Sequence, residues 1–539
     1  MIFSRNLLLF CFLATLLTSA QNKEITIEEI WNGTFRTEGM DVLHSMKNGQ
    51  QYSVLDFDRS SGSTAIDVYD YKTLKKVKTL VHSENLEDLT YFTNYTFSED
   101  ESQILLATDV EAIFRRSSLG KYYVFDTKSK RLTLVAQEKI QEPTFSPDGT
   151  KIAYGYNNNL YVKDLNSKKT TQITFDGEKN KIINGITDWV YEEEFGFVRA
   201  FQWNSASNKI AFIRFDETLV PEFSMDIYGQ DLYPTQDVFK YPKAGEANAL
   251  VSLHLYNLEN DKLSEVKVNK SYHDFYIPRI KWTNNPDILS AQFLNRHQNE
   301  LDLWIIDAKN NSAKVTLEER DKAYVDVTDD LTFLKDNSFI WTSEKDGNNH
   351  IYHYSKEGKL INQVTKGNWE VTSYYGFDEK RNKLFYQSTE SGSINRAVYS
   401  IQLNGRNKEQ LTKNEGSNRA DFSADFSYFI NTFSNAVTPP TYTLNDAKTG
   451  SLIKKIKDNE RLLQRLAAYT ISEKEFSTIH INGNDLNMWM IKPANFDASK
   501  QYPLFMYQYS GPGSQSVSNT WNGANDYWYQ YLAQKGYIV

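Results

Sequence analysis

Cysteine is almost missing: the one copy in 539 residues is Cys11. It sits in an apolar N-terminal run, and the Phe10 before it is too large for a lipoprotein cleavage site. The rest of the chain can hold no disulfide, cysteine nucleophile or thiolate metal site. Histidine is scarce too, with eight copies in no metal-ligand spacing, and neither HExxH nor an EF-hand loop occurs. No glycine-rich stretch matches a phosphate-binding fingerprint. We therefore expect no metal and no organic cofactor. Positive charge is in deficit. A net charge of -9 at pH 7, with no basic cluster, argues against nucleic acid as a partner.

Long apolar runs are also missing. The longest opens the chain: Leu7–Leu17 follows Arg5 and precedes Thr18-Ser19-Ala20. Eleven residues are too few to span a bilayer, and the flanks are those of a secretory signal cleaved before Gln21. Residues 1–20 are read as that signal and 21–34 as an N-terminal segment. No later segment is expected to cross a membrane. Export without disulfides fits a bacterial periplasm, or the medium outside it, better than a eukaryotic secretory route.

What the chain does have is aromatic residues, with 34 Tyr and 31 Phe, which lean toward strands. They recur in a pattern: an aromatic, a polar turn, then an alternating strand. Copies start at Phe97, Phe145, Trp203, Trp282, Phe333, Phe377 and Phe422, with a weaker first one at Met46. Each is followed by another strand and a polar hairpin, as in "YYVFDTKSKRLTLV" from Tyr122. A period of about 40–50 residues with several short strands means a propeller blade. The expected fold is mainly β, an eight-bladed β-propeller over residues 35–458; seven blades would result were the Met46 copy spurious.

Two spacings are long. Trp203 follows Phe145 by 58 residues and Trp282 follows Trp203 by 79. Insertions within repeats map to loops, often on the binding face. The first insertion contains "DWVYEEEFGF", Asp188–Phe197, with three adjacent glutamates among aromatics.

Past the propeller the pattern changes. "RLLQRLAAYT" reads as a short helix, and "EFSTIHINGNDLNMWMIKP" as a hairpin turning at Gly483 and Asn484. "YPLFMYQYSGPG" reads as a buried-type strand, and "NDYWYQYLAQKG" as a helix closed by Gly536. Strands, helix and strand open an α/β domain over residues 459–539. The order stops in mid-element, so the expectation is a chain truncated at its C-terminus.

Four stretches carry a family resemblance: "GITDWVYEEEF", "YPKAGEAN", "NWEVTS" and "YPLFMYQYSGPGSQ". In this order and spacing the chain resembles the dipeptidyl peptidase IV family, of the prolyl oligopeptidase clan of serine peptidases. Gly513 stands where family members often carry cysteine, which points to a bacterial type. The resemblance implies an eight-bladed propeller followed by an α/β-hydrolase domain. It also implies removal of N-terminal dipeptides with proline or alanine second. Glu193 and Glu194 would grip the substrate's free ammonium, Arg115 would contact its carbonyls, and Tyr509 would help form the oxyanion hole. The family's propeller phenylalanine has no clear counterpart around "AYVDVT", Ala323–Thr328. A Gly-x-Ser-x-Gly elbow does not occur, so the 539 residues alone are expected to be inert toward a Gly-Pro reporter peptide.

The chemistry of the glutamates sets a condition on their backbone. Successive strand residues point to opposite faces, so Glu193 and Glu194 could not converge from a strand. In a helix they lie ~100° apart and can. A short helix interrupting the blade is expected, with Glu192 as the spare, solvated or structural. Two other readings stay open: a prolyl tripeptidyl peptidase, and a non-catalytic periplasmic propeller that binds peptides or proteins. Peptides with a free N-terminus are the expected partners, and a homodimer through a propeller arm and the hydrolase domain is implied by the resemblance.

Overall fold

The computed structural model describes residues 23–509, 511 and 513–539. The expected signal peptide, with Cys11, lies outside the described residues. Eight antiparallel sheets follow one another at residues 43–82, 94–134, 141–172, 182–265, 275–320, 332–363, 371–410 and 417–457. They are the blades of an eight-bladed propeller, and the weak Met46 copy marks a true first blade. Within each blade the strands pair in chain order, except in the fourth.

The repeated aromatic has a fixed place. Phe97, Phe145, Trp203, Trp282, Phe333 and Phe422 each end the first strand of a blade. From there the residues pack between blades. Leu160 and Val162 of the third blade meet Phe201 and Phe212 of the fourth. Ile340 and Ile351 of the sixth meet Leu384 and Tyr386 of the seventh. The core is thus a ring of inter-blade layers. First strands of the second, third and fourth blades line one cavity of about 780 Å³.

The ring closes between the eighth blade and the first, and each of these blades is a complete four-stranded sheet of consecutive strands. No strand is exchanged across the seam among the described residues. Side chains join it instead. Ala424 N–H donates to Ser45 Oγ at 2.8 Å, and Tyr71 stacks on Tyr428 with centroids 5.9 Å apart. Gly49, at φ +67°, leaves room for Asp425; a Cβ there would meet Asp425 Cγ at 2.1 Å.

Outside the ring the N-terminal segment is stitched to the C-terminal one. Lys23 N–H donates to Ala468 O, and Thr470 N–H to Lys23 O, both at 2.9 Å. Phe35 packs on Tyr469 and Tyr527. A helix spans Glu460–Leu466, and another, Ala524–Gln534, is closed by Gly536 at φ +90°. The hairpin of Lys474–Ile481 and Asn484–Ile491 turns at Asn482 and Gly483, one residue earlier than the sequence suggests. Both turn residues have positive φ, the geometry of a tight hairpin.

The buried strand expected over "YPLFMYQYSGPG" is not found. Its strand pairing among the described residues is a single parallel bridge, Leu504 to Ile538. Leu504 and Met506 are 69% and 73% exposed. An apolar strand is buried when both faces of its sheet are covered, and the exposed Leu504 and Met506 have no such cover among the described residues.

Candidate functional site

The fourth blade is the irregular one. Its first strand is split into Ile182–Asn184 and Phe201–Trp203, which pair with opposite ends of Lys209–Asp216. Between them the chain leaves the sheet through a neck held by Thr187 N–H donating to Val198 O at 2.9 Å. Gly185 lines that neck at φ +72°, and a Cβ there would meet Leu160 Cδ1 at 2.6 Å. The excursion is a helix, Trp189–Glu194, the short helix expected to interrupt the blade. Asp188 caps it by accepting from Tyr191 N–H at 2.9 Å.

Three contacts fix the helix. The buried Tyr191 hydroxyl accepts from Ile277 N–H at 2.8 Å. Arg279 Nη2 donates to Phe195 O at 2.9 Å just past the helix end, where a cation is favoured. The third is Glu192, which is not a solvated spare: it is 1% exposed. Its Oε1 accepts from Arg116 N–H at 2.5 Å and Ser117 N–H at 2.9 Å. Arg116 Nε returns a bond to Glu192 O at 3.2 Å. One buried carboxylate thus fastens the helix to a loop of the second blade.

That loop brings Arg115 to Glu193. Arg115 Nε donates to both carboxylate oxygens, at 2.9 and 3.0 Å. The terminal nitrogens of the guanidinium carry no hydrogen bond among the described residues, and the side chain is 71% exposed. Glu194 is exposed, with no hydrogen bond or ion pair among the described residues. Its charge is felt by Tyr324, whose hydroxyl is pushed up by burial first, then by Asp326, Glu344 and Glu194. Tyr324 lies in "AYVDVT", where the sequence offered no recognisable aromatic counterpart.

Tyr509 is not joined to this group by any hydrogen bond among the described residues. It is 65% exposed and lines a cleft of about 1010 Å³ with Trp369, Glu370, Trp489 and Gln515. Its N–H donates to Ser516 Oγ at 3.2 Å. The seventh blade holds the loop beyond it, with Arg396 Nη2 donating to Gln515 Oε1 at 2.5 Å and Gln515 Nε2 to Ser393 O at 2.9 Å. Glu344 feels a charge from each region. Burial, then Asp326 and then Glu370 raise its carboxyl. Glu370 lines the Tyr509 cleft, and Asp326 also raises Tyr324.

A buried acid pair behind the helix went unseen in the sequence. Asp188 and Glu217 are each 6% exposed. Burial pushes Asp188 up to about 6, against the Tyr191 N–H bond. Glu217 rises to about 7, from burial first and the charge of Asp188 second, with Lys240 opposing. Both folded values exceed the unfolded ones. The pair's stabilising contribution is therefore full below about pH 4 and lost as pH rises through 6 to 7. Replacing Asp188→Asn with Glu217→Gln should flatten this, so that wild type loses on the order of 3 kcal/mol relative to the double variant between pH 5 and 8. Urea midpoints at both pH values measure it, and a pH-independent difference would refute it.

A family model described as "Dipeptidyl peptidase IV (DPP IV) N-terminal region" matches residues 98–440. The chain belongs to the dipeptidyl peptidase IV family. A crystal structure of Porphyromonas gingivalis dipeptidyl peptidase 4 superposes with a TM-score of 0.90 at 39% identity, covering 96% of this chain and 73% of that one. Dipeptidyl peptidase 4 of Trichophyton rubrum is 31% identical over 83% of this chain and 59% of that protein. A probable dipeptidyl-aminopeptidase B of Phaeosphaeria nodorum is 28% identical over 97% and 62% respectively. The chain spans about three fifths of the length of these curated relatives. In this dipeptidyl peptidase IV family member no helix among the described residues is long and apolar enough to cross a membrane.

Proposed function

We propose that the chain is the propeller-bearing part of an exported serine exopeptidase that releases N-terminal dipeptides with proline or alanine second. The observation that carries this is the pairing on the split blade. Glu193 is already bound by Arg115, Glu194 beside it is unpaired, and the arginine fork is free. An incoming ammonium has three donors to give. It meets Glu194 without competition and shares Glu193 with Arg115, whose terminal nitrogens are then placed for a peptide carbonyl. The relatives are named dipeptidyl peptidases and dipeptidyl-aminopeptidases, which favours this over tripeptide release or mere binding.

The nucleophile, its base and the rest of an α/β-hydrolase domain lie, in this reading, in sequence beyond Val539. The exposed apolar face of Ile479, Leu486, Leu504 and Met506 is what such a domain would cover. Tyr509 would donate from its hydroxyl to the oxyanion. The arm that leaves the fourth blade over residues 222–240, with Leu232 and Tyr233 87% and 79% exposed, is where a second copy would seat. A bacterial periplasm is the compartment proposed.

The test is kinetic. In a protein carrying the adjoining hydrolase sequence, Tyr509→Phe should lower kcat for a Gly-Pro reporter by ~10²–10³, the usual worth of an oxyanion donor. An unchanged kcat would remove Tyr509 from the chemistry, and no turnover by the parent protein would remove the peptidase reading.

A further inference from the structure

The arm does more than project. Its strands, Glu222–Ile227 and Thr235–Lys240, leave the fourth blade between Lys209–Asp216 and Leu250–Asn257. The tip is exposed, but the root is packed, and what it packs against is the candidate receptor. Phe239 lies 5.6 Å from Phe114, the residue before Arg115. Tyr241 lies 4.3 Å from Trp189, the first residue of the helix that carries Glu193 and Glu194. Phe223 closes the ladder, 6.1 Å from Phe239 and 5.6 Å from Tyr241. Tyr241 N–H donates to Pro221 O at 2.9 Å, which holds the two sides of the root together.

We propose that this aromatic root, Phe223, Phe239 and Tyr241, is a positioning element that sets the loop bearing Arg115 against the helix bearing Glu193 and Glu194. The inference rests on the ammonium-receptor reading of that site. Its physical basis is mechanical. Glu192 and Glu193 already join the loop to the helix by hydrogen bonds at Arg115, Arg116 and Ser117. The ladder adds a second, apolar line of contact, reaching the loop at Phe114 and the helix at Trp189. Offset and tilted ring pairs of this kind resist sliding because their geometry, and not only their area, is favourable. Receptors that need two groups held within about half an ångström depend on such support.

Two readouts on the 539-residue chain test it. The first is calorimetric binding of Gly-Pro-Gly and of its N-acetylated form. Tyr241→Ala and Phe239→Ala should each weaken the free-amine peptide by about tenfold and leave the acetylated one unchanged. Tyr241→Phe, which keeps the ring, should restore wild-type binding. Replacing residues 228–234 by an Asn-Gly turn, which keeps the root, should alter nothing. The second readout needs no ligand: the Arg116 and Ser117 amides should exchange with deuterium faster in Tyr241→Ala and at the wild-type rate in Tyr241→Phe. Phe239→Leu keeps apolar bulk without the ring and should show a smaller change of the same sign should the alanine variants not fold. Wild-type selectivity and wild-type exchange in the root variants would overturn the proposal. A parent chain that does not distinguish the two peptides would overturn the receptor reading instead, and amide exchange would still decide the root's role.

Discussion

A short peptide with a free amino terminus should bind this chain at least a hundredfold more tightly than the same peptide N-acetylated. Acetylation removes the positive charge and two of the three N–H donors while keeping everything else. The partners it abandons are Glu194, unpaired in the described structure, and Glu193, 20% exposed at the side chain and held on one side by Arg115. Removing one member of a hydrogen-bonded charge pair in a partly buried site costs about 2–5 kcal/mol, and each ~1.4 kcal/mol is tenfold. Glu194→Gln should erase much of the preference by replacing the one uncompensated charge. Glu193→Gln should also weaken it, and should release Arg115. Because Glu194 is exposed, the preference should shrink in 1 M salt, where charges are screened within ~3 Å. Titration calorimetry measures all of these. Equal affinity for both peptides would end the ammonium role.

Glu192→Ala should cost about 3–5 kcal/mol of stability, more than either neighbouring glutamate. The difference comes from where the charge sits. Glu192 is 1% exposed, and its carboxylate serves the Arg116 and Ser117 N–H groups. Alanine leaves both donors buried without an acceptor and opens the space of the side chain. Glutamine keeps one acceptor oxygen and should cost less than half as much. The charge of Glu192 also helps hold the Glu142 carboxyl above its ordinary range, after burial and against Arg199. Glu192→Gln should therefore bring Glu142 down. Denaturant unfolding gives the first effect, and carboxyl titration by NMR the second. A Glu192→Ala chain within 1 kcal/mol of wild type would show that the loop and helix do not depend on this tether.

Much of the ring was readable because a propeller repeats its grammar. The aromatic before each polar turn lies at or next to the end of a first strand, so seven aromatic anchors and the weak copy at Met46 found eight blades. The first strands themselves were harder to see. "QEPTF" and "SNRADF" carry polar residues, are mostly only half-buried, and within its blade each pairs only with the next strand. The helix at Trp189 was legible through chemistry, since two adjacent carboxylates meet one ligand only off a strand. Which glutamate does what was not. Glu192 looks like its neighbours in sequence, and only the approach of Arg116 and Ser117, more than 70 residues away, makes it a tether. Asp188 and Glu217 escaped notice for the same reason, since burial depends on the whole fold. The strand expected to carry Tyr509 is not formed, because strand pairing needs partners that a local reading does not supply.

The unexchanged seam between the first and eighth blades gives the ring a preferred place to come undone. Seven of its joints are bridged by continuous chain, and the eighth is held by contacts such as Ser45 to Ala424 and Tyr71 to Tyr428. Covalent continuity limits how far neighbouring blades can part, so a circle built this way behaves as a bracelet with one clasp. The clasp has a safety chain. Outside the ring, Glu38 N–H donates to Asn459 Oδ1 at 2.7 Å, and Lys23 pairs beside Tyr469. The short strip before the first blade and the strip after the last therefore do for the ring what strand exchange does elsewhere. Trimming residues 23–38 would remove that restraint without touching Glu192, Glu193 or Glu194.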